Sequence, residues 1–200
     1  MNSVTGRVPG GLTEFHALTA ARWPDFVELF GARGACAGCW CMYWRLSARE
    51  FEHNKHAGNR RRMRALVSAG STPGILGYAD CRPVGWCAVA PRSEYIRLGG
   101  SRVLAPVDEL PVWSVGCLFV GRMHRKQGVA VALVKAAVDF ARRRGARMIE
   151  AYPVEPKTGR DIPAAFAWTG IPSLFAAAGL VEVARRSPTR PIMRKTLERN

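Results

Sequence analysis

One segment in the second half of the chain constrains the fold more than any other, because a strand, a short turn and a long helix follow one another there. Val112–Val120 is an apolar run typical of a buried strand, and Gly128–Arg144 carries apolar residues at helical spacing before Gly145. The first N–H groups of a helix have no partners inside it and lie at the positive end of its dipole. This turn is therefore suited to hold a pyrophosphate, and Arg125 and Lys126 add positive charge there.

The remaining pattern predicts a mixed α+β (α/β) domain. An Asp80–Pro83 turn separates two apolar runs and predicts a hairpin, and Ser47 followed by Glu50 has the spacing of a capped helix start. The predicted strands are 15–18, 75–79, 84–89, 112–120, 147–152, 180–184 and 192–197. The predicted helices are 23–30, one that begins at 47, 59–69, 128–144 and 172–178.

The length and composition indicate one domain. Of 200 residues, 48% are hydrophobic and 22% are charged, which provides a core and excludes a chain that is disordered throughout. We expect a loose segment at 1–12 and a single domain at 13–200. No uncharged apolar run reaches the roughly 18–20 residues of a membrane span, and no apolar stretch near the N-terminus indicates a secretion signal. The expected location is the cytoplasm, with no membrane partner.

The charge is unusual for a chain of this size. Thirty Lys and Arg residues against fifteen Asp and Glu residues give a net charge of +15, which attracts polyanions. Arg60–Arg62 and Arg142–Arg144 are dense basic runs and keep a nucleic-acid-binding protein as an alternative. A solvated, arginine-rich surface explains the same charge, and no helix-turn-helix, zinc-finger or RNA-binding signature is present. The sequence therefore permits a nucleic-acid partner without favouring one.

The six cysteines form two groups. Cys36, Cys39 and Cys41 lie within six residues, and a zinc site there would need a fourth ligand such as His53 or His56. Their spacing is not that of a zinc knuckle, so we predict no metal. A thiol redox switch and a packed, aromatic-rich wall of a substrate pocket are the other two interpretations. The remaining cysteines are expected to pack in the core as small apolar residues: Cys81, Cys87 and Cys117.

From Ile75 to Val183 the chain resembles the GNAT superfamily of acyl-CoA-dependent N-acyltransferases. The hairpin, the strand ending Leu-Phe-Val, the Arg-Lys-Gln-Gly-Val-Ala turn, the long helix, the strand Ile-Glu-Ala-Tyr-Pro-Val and the short helix ending Ala-Gly-Leu occur in the order of that family. The resemblance implies a mostly antiparallel central sheet flanked by helices and splayed at an acyl-CoA site.

The resemblance also implies which residues hold acetyl-CoA. The pantetheine arm would pair with the backbone of Leu118, Phe119 and Val120, in a splay between that strand and the one at Met148–Tyr152. The pyrophosphate would lie on Arg125, Lys126, Gln127, Gly128, Val129 and Ala130.

The catalytic groups are less well matched to the family. Its members usually transfer the acyl group directly to a deprotonated amine, and a tyrosine four residues before a helix-ending glycine commonly protonates the thiolate. That position here is Phe175, which has no proton to donate. Tyr152 is the preferred substitute, with Ser173 and solvent as alternatives, and its other role would be packing at a strand end. Glu150 is the candidate base; the alternative is an ion pair with an arginine.

The sequence thus predicts an acetyl-CoA-dependent N-acetyltransferase acting on a primary amine by direct transfer, with a small molecule favoured as acceptor. Glu94 and Tyr95 are candidate acceptor-site residues, because in the family the loop after the hairpin usually borders the cleft. The alternative is a nucleic-acid-binding or a thiol- or metal-sensing protein on the same scaffold. The sequence does not identify the amine, and a homodimer is one option for the assembly.

Overall fold

A computed structural model describes residues 12–156, 162–163 and 166–198, which form one sheet with helices on both faces. The strands are β1 (Leu12–Ala17), β2 (Gly74–Ala79), β3 (Arg82–Pro91), β4 (Trp113–Val120), β5 (Met148–Ala151), β6 (Val181–Arg185) and β7 (Pro191–Thr196). The α-helices are α1 (Trp23–Phe30), α2 (Ala48–His53), α3 (Ala57–Ser68), α4 (Ile96–Gly99), α5 (Val129–Arg143) and α6 (Pro172–Ala177).

The described strands are ordered β1-β2-β3-β4-β5-β7-β6. Only β4 and β5 are parallel, and the other neighbouring pairs of described strands are antiparallel. A parallel pair needs a long crossover connection, which α5 provides here. The predicted fold, a mixed and mostly antiparallel sheet flanked by helices, is therefore confirmed.

Local signals placed most helix ends correctly. Helix α1 begins at Trp23 with Pro24 in its first turn, where proline is tolerated. Before α2, Glu50 N donates to the Ser47 hydroxyl at 3.2 Å, and Ser47 N donates to the Glu50 carboxylate at 3.1 Å. This reciprocal pair is the predicted capping box. Helix α3 begins at Ala57, two residues before the predicted start.

The hairpin turn is shorter than predicted. Strands β2 and β3 extend to Ala79 and Arg82, so the turn contains only Asp80 and Cys81. Both turn residues have positive φ, 48° and 60°, as a two-residue hairpin turn requires. Cys81 is consequently exposed, and the prediction that it packs in the core is wrong.

The two sheet faces are covered by different helices. On one face Leu133 of α5 is fully buried, and Gly85 of β3 leaves space for it, since a Cβ there would lie 2.7 Å from the leucine. On the other face Trp86 is fully buried, with its ring centre 4.9 Å from that of Phe26 on α1. Truncating a core aromatic of this kind costs roughly 3–5 kcal/mol. The core therefore fixes α1 and α5 on opposite sides of β3.

The predicted cysteine cluster lies on irregular backbone after α1. Four non-glycine residues adopt positive φ there: Ala35, Ala37, Trp40 and Cys41. Such conformations are strained and persist where the surrounding packing holds them. Trp40 provides that packing. Its ring centre lies 5.8 Å from that of Phe30, and its ring is so close to Gly34 that a Cβ at that position would clash with it. We call residues 34–41 the cysteine loop.

The ends of the chain bear on two further expectations. Residues 1–11 of the predicted loose segment lie outside the described residues, and β1 already begins at Leu12. None of the helices within the described ranges is long and apolar enough to cross a membrane.

Candidate acetyl-CoA and acceptor sites

Strands β4 and β5 lie side by side at one end only. Trp113–Val115 pairs with Ile149–Ala151, and after that point β5 ends while β4 continues to Val120. Gly116 is an extra residue in β4 with no partner on β3, which makes a β-bulge at the point of divergence. The two strands are thus splayed.

The free edge of β4 presents backbone groups to this splay. In an antiparallel ladder, successive residues direct their N–H groups to opposite edges. Gly121 N bonds back to β3 at 2.9 Å, so the N–H of Val120 points into the splay. Leu118 N points the same way and donates to Trp168 O at 2.7 Å, while Val120 O accepts from Arg125 Nε at 3.0 Å. Val120 N–H is therefore available to a ligand.

The turn between β4 and α5 has the conformation that its glycine predicts. Gly128 caps α5 with φ +79°, a left-handed conformation in which a side chain is strained. Arg125, Lys126 and Gln127 are exposed, and Val129 and Ala130 are the first residues of α5, where N–H groups lack intrahelical partners. The structure thus brings the nine residues predicted for acetyl-CoA to one end of β4 and α5.

A cavity of about 320 Å³ connects these groups, and we call it the β4–α5 cavity. Arg125 and Ala130 line one side, and Trp168 and Gly170 line the other. Gly170 has φ +78°, and a Cβ there would lie 2.5 Å from the Phe175 ring. The segment around Trp168 therefore packs closely against α6 only because this position is a glycine.

A second cavity of about 270 Å³ lies on the face of the sheet that carries α1, and we call it the aromatic cavity. It shares Cys36, Leu118 and Trp168 with the β4–α5 cavity, so the two adjoin at β4. Its described lining has no charged side chain. The aromatic and thiol residues of that lining are Phe30, Cys36, Cys39, Cys41, Tyr43, Trp44, Phe51, Cys117, Phe119 and Trp168.

The thiols of this cavity differ in their environment. Cys41 Sγ accepts a hydrogen bond from Trp86 Nε1 at 3.2 Å. A hydrogen bond from the Cys117 thiol lowers the pKa of Cys41, and the Trp86 bond acts in the same direction against the effect of burial. The same thiol–thiol bond, together with burial, raises the pKa of Cys117. Burial raises the pKa of Cys39 to about 11. No group of three metal-ligating side chains occurs in the part of the chain that the structure describes.

Glu150 and Tyr152 belong to a buried polar network rather than to either cavity lining. Both are 1% exposed. Glu150 accepts from Arg194 at 2.6 and 2.9 Å, and the Tyr152 hydroxyl donates to Glu150 at 2.8 Å. That hydroxyl also accepts from Arg92 at 2.6 Å and lies 2.8 Å from the Ser114 hydroxyl. Burial and the neighbouring Glu150 charge raise the pKa of Tyr152, so it stays protonated.

Three other candidate residues also lie outside the two cavity linings. Phe175 is fully buried in the core on the α5 face. Glu94 pairs with Arg45, and Tyr95 is 2% exposed, so neither lines the β4–α5 cavity or the aromatic cavity.

Sequence reasoning predicted an aromatic-rich wall but did not single out Tyr43, which lines the aromatic cavity. Tyr43 is half-buried, and its ring lies 5.0 Å from that of Trp168 in an edge-on arrangement. Trp44 beside it donates to Gly116 O at 2.8 Å, which anchors this segment to the β4 bulge. A sequence signal existed, since two adjacent aromatic residues follow the cysteines, but nothing local indicated that they meet a residue 125 positions away.

Comparisons with known proteins agree with this geometry. Residues 39–160 match the acetyltransferase (GNAT) family. A search against curated protein sequences gives no match. Among solved structures, a GNAT-family acetyltransferase of Listeria monocytogenes is similar at a TM-score of 0.58, with 9% identity, over 98% of this chain and 100% of that one. The GNAT domain of S. lividans PAT gives 0.54 and 18% identity over 98% and 97%.

A third similar structure was solved with a ligand. It is the PaiA N-acetyltransferase of Thermoplasma acidophilum in complex with coenzyme A, with a TM-score of 0.50 and 12% identity over 92% of this chain and 98% of that one. At these identities the structural matches show the fold alone. The family match covers more than half of the chain and includes β4, the turn and α5. The chain belongs to the GNAT family of acetyltransferases.

Proposed function

We propose that this protein transfers an acetyl group from acetyl-CoA to an amine that binds in the aromatic cavity. The observation that carries the proposal is the junction of two cavities at the splayed end of β4. One of them reaches the N-terminus of α5 and the other is lined by aromatic side chains. Coenzyme A bound to the Thermoplasma structure supports the choice of donor. The structure's own support is the exposed, positively charged turn before α5.

The residues at the end of β4 and in the turn fit the donor. Acetyl-CoA, when bound, supplies the acetyl group as a thioester. The backbone of Leu118, Phe119 and Val120 would hold the pantetheine arm, with Val120 N–H as the free donor. The N–H groups that open α5 would hold the pyrophosphate. The side chains and backbone proposed for that contact belong to Arg125, Lys126, Gln127, Gly128, Val129 and Ala130.

The aromatic cavity fits an acceptor that arrives as a neutral amine. Its described lining has no carboxylate to stabilise an ammonium ion, and removing an unpaired charge from water is costly. Aromatic faces at Phe119 and Trp168 border the position where the cavity meets β4. They exclude water from that position.

We assign the supply of a proton in the cleft to Tyr43. Among the described residues that line the two cavities, Tyr43 carries the one hydroxyl group. A positioned acid of this kind typically contributes 10²–10⁴-fold to a rate, roughly. Tyr152 as acid and Glu150 as base stay predictions, and paired variants described in the Discussion decide between these assignments and Tyr43.

Calorimetric titration with acetyl-CoA tests the proposed function. We expect micromolar binding to the unaltered protein and a loss of binding in Ala130→Glu, because the new carboxylate would face the pyrophosphate. Lys135→Glu is the control, since it places the same charge on an exposed position of the same helix. Absence of binding to the unaltered protein, or equal binding to Ala130→Glu, contradicts the proposal.

A further inference from the structure

Two half-buried arginines lack the acidic partners that comparable arginines have. Arg45, Arg92 and Arg194 each contact a glutamate. Arg97 and Arg190 form no ion pair with any described residue. A guanidinium removed from water normally has a carboxylate beside it. These two positive charges are therefore not compensated within the described chain.

The two guanidinium groups also keep free hydrogen-bond donors. Arg97 donates to Leu46 O at 2.8 Å and to Ser47 O at 3.1 Å, and it lies 4.2 Å above the Tyr43 ring. Arg190 makes one long bond of 3.3 Å to the Thr169 hydroxyl. A guanidinium has five N–H donors, so most of those on Arg190 have no acceptor in the part of the chain that the structure describes. Burial lowers the pKa of Arg190, which reflects a charge without compensation.

Both arginines line the same cavity, of about 570 Å³, which we call the arginine cavity. Tyr43, Trp44 and Trp168 line it too, and these three residues also line the aromatic cavity. The two cavities therefore adjoin across one group of aromatic side chains. The described lining of the arginine cavity contains no carboxylate.

We propose that Arg97 and Arg190 form a carboxylate-binding subsite for the acceptor, which is an aromatic amine that also carries a carboxylate, such as an aromatic amino acid. The inference rests on the proposed acetyltransferase function and specifies the acceptor class. The aromatic body lies against Tyr43, Trp44 and Trp168, which line both cavities, and the carboxylate lies at Arg190 with Arg97 beside it. Two guanidinium groups without a carboxylate partner among the described residues repel a polyamine for the same reason that they attract a carboxylate.

The test compares acceptors that differ only by the carboxylate. Tryptophan is paired with tryptamine and phenylalanine with phenethylamine, and kcat/KM for acetyl transfer is measured for each. We expect the amino acid of each pair to be preferred by about 10- to 100-fold, the factor that charge-assisted hydrogen bonds provide. Arg190→Gln should abolish the preference by lowering kcat/KM for the amino acids. Arg190→Lys should keep part of it, because a lysine retains the charge without the planar fork.

A binding measurement gives a readout that does not depend on turnover. Indole-3-propionate with coenzyme A present should bind to the unaltered protein and not to Arg190→Gln, as seen by ligand-observed NMR. Lys135→Gln removes the same charge from an exposed position on α5 and should behave like the unaltered protein.

The outcomes separate this inference from the proposed function. If acetyl-CoA does not bind to the unaltered protein, the proposed function fails. If it binds but tryptamine is preferred over tryptophan, or Arg190→Gln keeps the preference, only the carboxylate subsite is overturned. A loss of coenzyme A affinity in Arg190→Gln also overturns it, because the arginine would then serve the donor.

Discussion

Two polar regions of this protein differ in whether their arginine charges have carboxylate partners among the described residues. In the network around Glu150, one buried carboxylate is contacted by Arg194 and Arg92, and the Tyr152 hydroxyl is bonded on every side. In the arginine cavity, Arg97 and Arg190 have backbone or hydroxyl partners but no described carboxylate. Glu150 and Tyr152 are closed to solvent, whereas Arg97 and Arg190 line a cavity.

The difference separates charges that hold the fold from charges that remain for a ligand. When a buried ion pair loses one partner, the charge of the remaining partner is uncompensated. The Glu150 network therefore contributes to stability. A guanidinium on a cavity wall that already lacks a described carboxylate partner is tolerated by the fold as it stands. We therefore expect substitutions in the network to change stability first, and substitutions around the cavities to change activity first.

Glu150→Gln should have the largest effect on stability. It removes the one described carboxylate that contacts both Arg92 and Arg194, at a site 1% exposed. Arg194 keeps its pair with Asp108, whereas Arg92 is left without a described carboxylate, and breaking a buried pair in this way costs about 3–5 kcal/mol. Urea unfolding measures the change. Glu182→Gln is the control, because the Glu182 pair with Arg185 lies at the surface and such pairs contribute at most about 1 kcal/mol.

The same variant tests the prediction that Glu150 is a catalytic base. If Glu150→Gln unfolds at the same urea concentration as the unaltered protein but loses acetyl transfer, Glu150 serves catalysis and not the stability of the fold.

Paired tyrosine variants should show the next largest effect. Tyr43→Phe should lower kcat by about 10²-fold or more without a change in stability, because it removes a hydroxyl from the cavity lining. Tyr152→Phe should lower the free energy of unfolding by about 1–3 kcal/mol, because buried partners lose a hydrogen bond. Steady-state kinetics and urea unfolding are measured on both. The reverse pattern would assign the acid to Tyr152.

The sequence predicted the features that depend on neighbours along the chain. The helix start at Trp23, the cap at Ser47 and the left-handed Gly128 all follow from a few adjacent residues. The β4–β5 pairing was predicted through the order of elements, and the acetyl-CoA site on the α5 turn, predicted in the same way, stays a prediction. Contacts between distant segments were not found, since no local pattern reports that Arg190 lies on a cavity wall with Tyr43.

The burial of individual side chains was also not predictable from the sequence. An acidic residue flanked by apolar neighbours on a strand is compatible with a catalytic base or with an ion pair, and the partner of Glu150 lies 44 positions further on, at Arg194. Cys81 was predicted to pack in the core because apolar runs flank the Asp80–Pro83 turn, but it lies in the two-residue turn and is exposed.

The smallest predicted effect is a difference in alkylation rate between two exposed cysteines in different regions. Cys36 and Cys81 are both exposed, but only Cys36 lines the β4–α5 cavity. At pH 8 both should react readily with iodoacetamide, as followed by peptide mass spectrometry. Acetyl-CoA should lower the alkylation rate of Cys36 and leave that of Cys81 unchanged, so Cys81 serves as the internal control. Equal rates for Cys36 with and without acetyl-CoA contradict the proposed donor site.

Cys39 extends this test to pH. Its pKa is raised by burial to about 11, so below that pH its thiol is mostly protonated and a poor nucleophile. Its alkylation rate at pH 8 should be far below that of Cys36 and should rise by about tenfold for each pH unit until the pH nears the pKa. A rate for Cys39 that is high at pH 8 and independent of pH would mean that the cysteine loop opens to solvent. The strained backbone from Ala35 to Cys41 would then not hold the wall of the aromatic cavity in place.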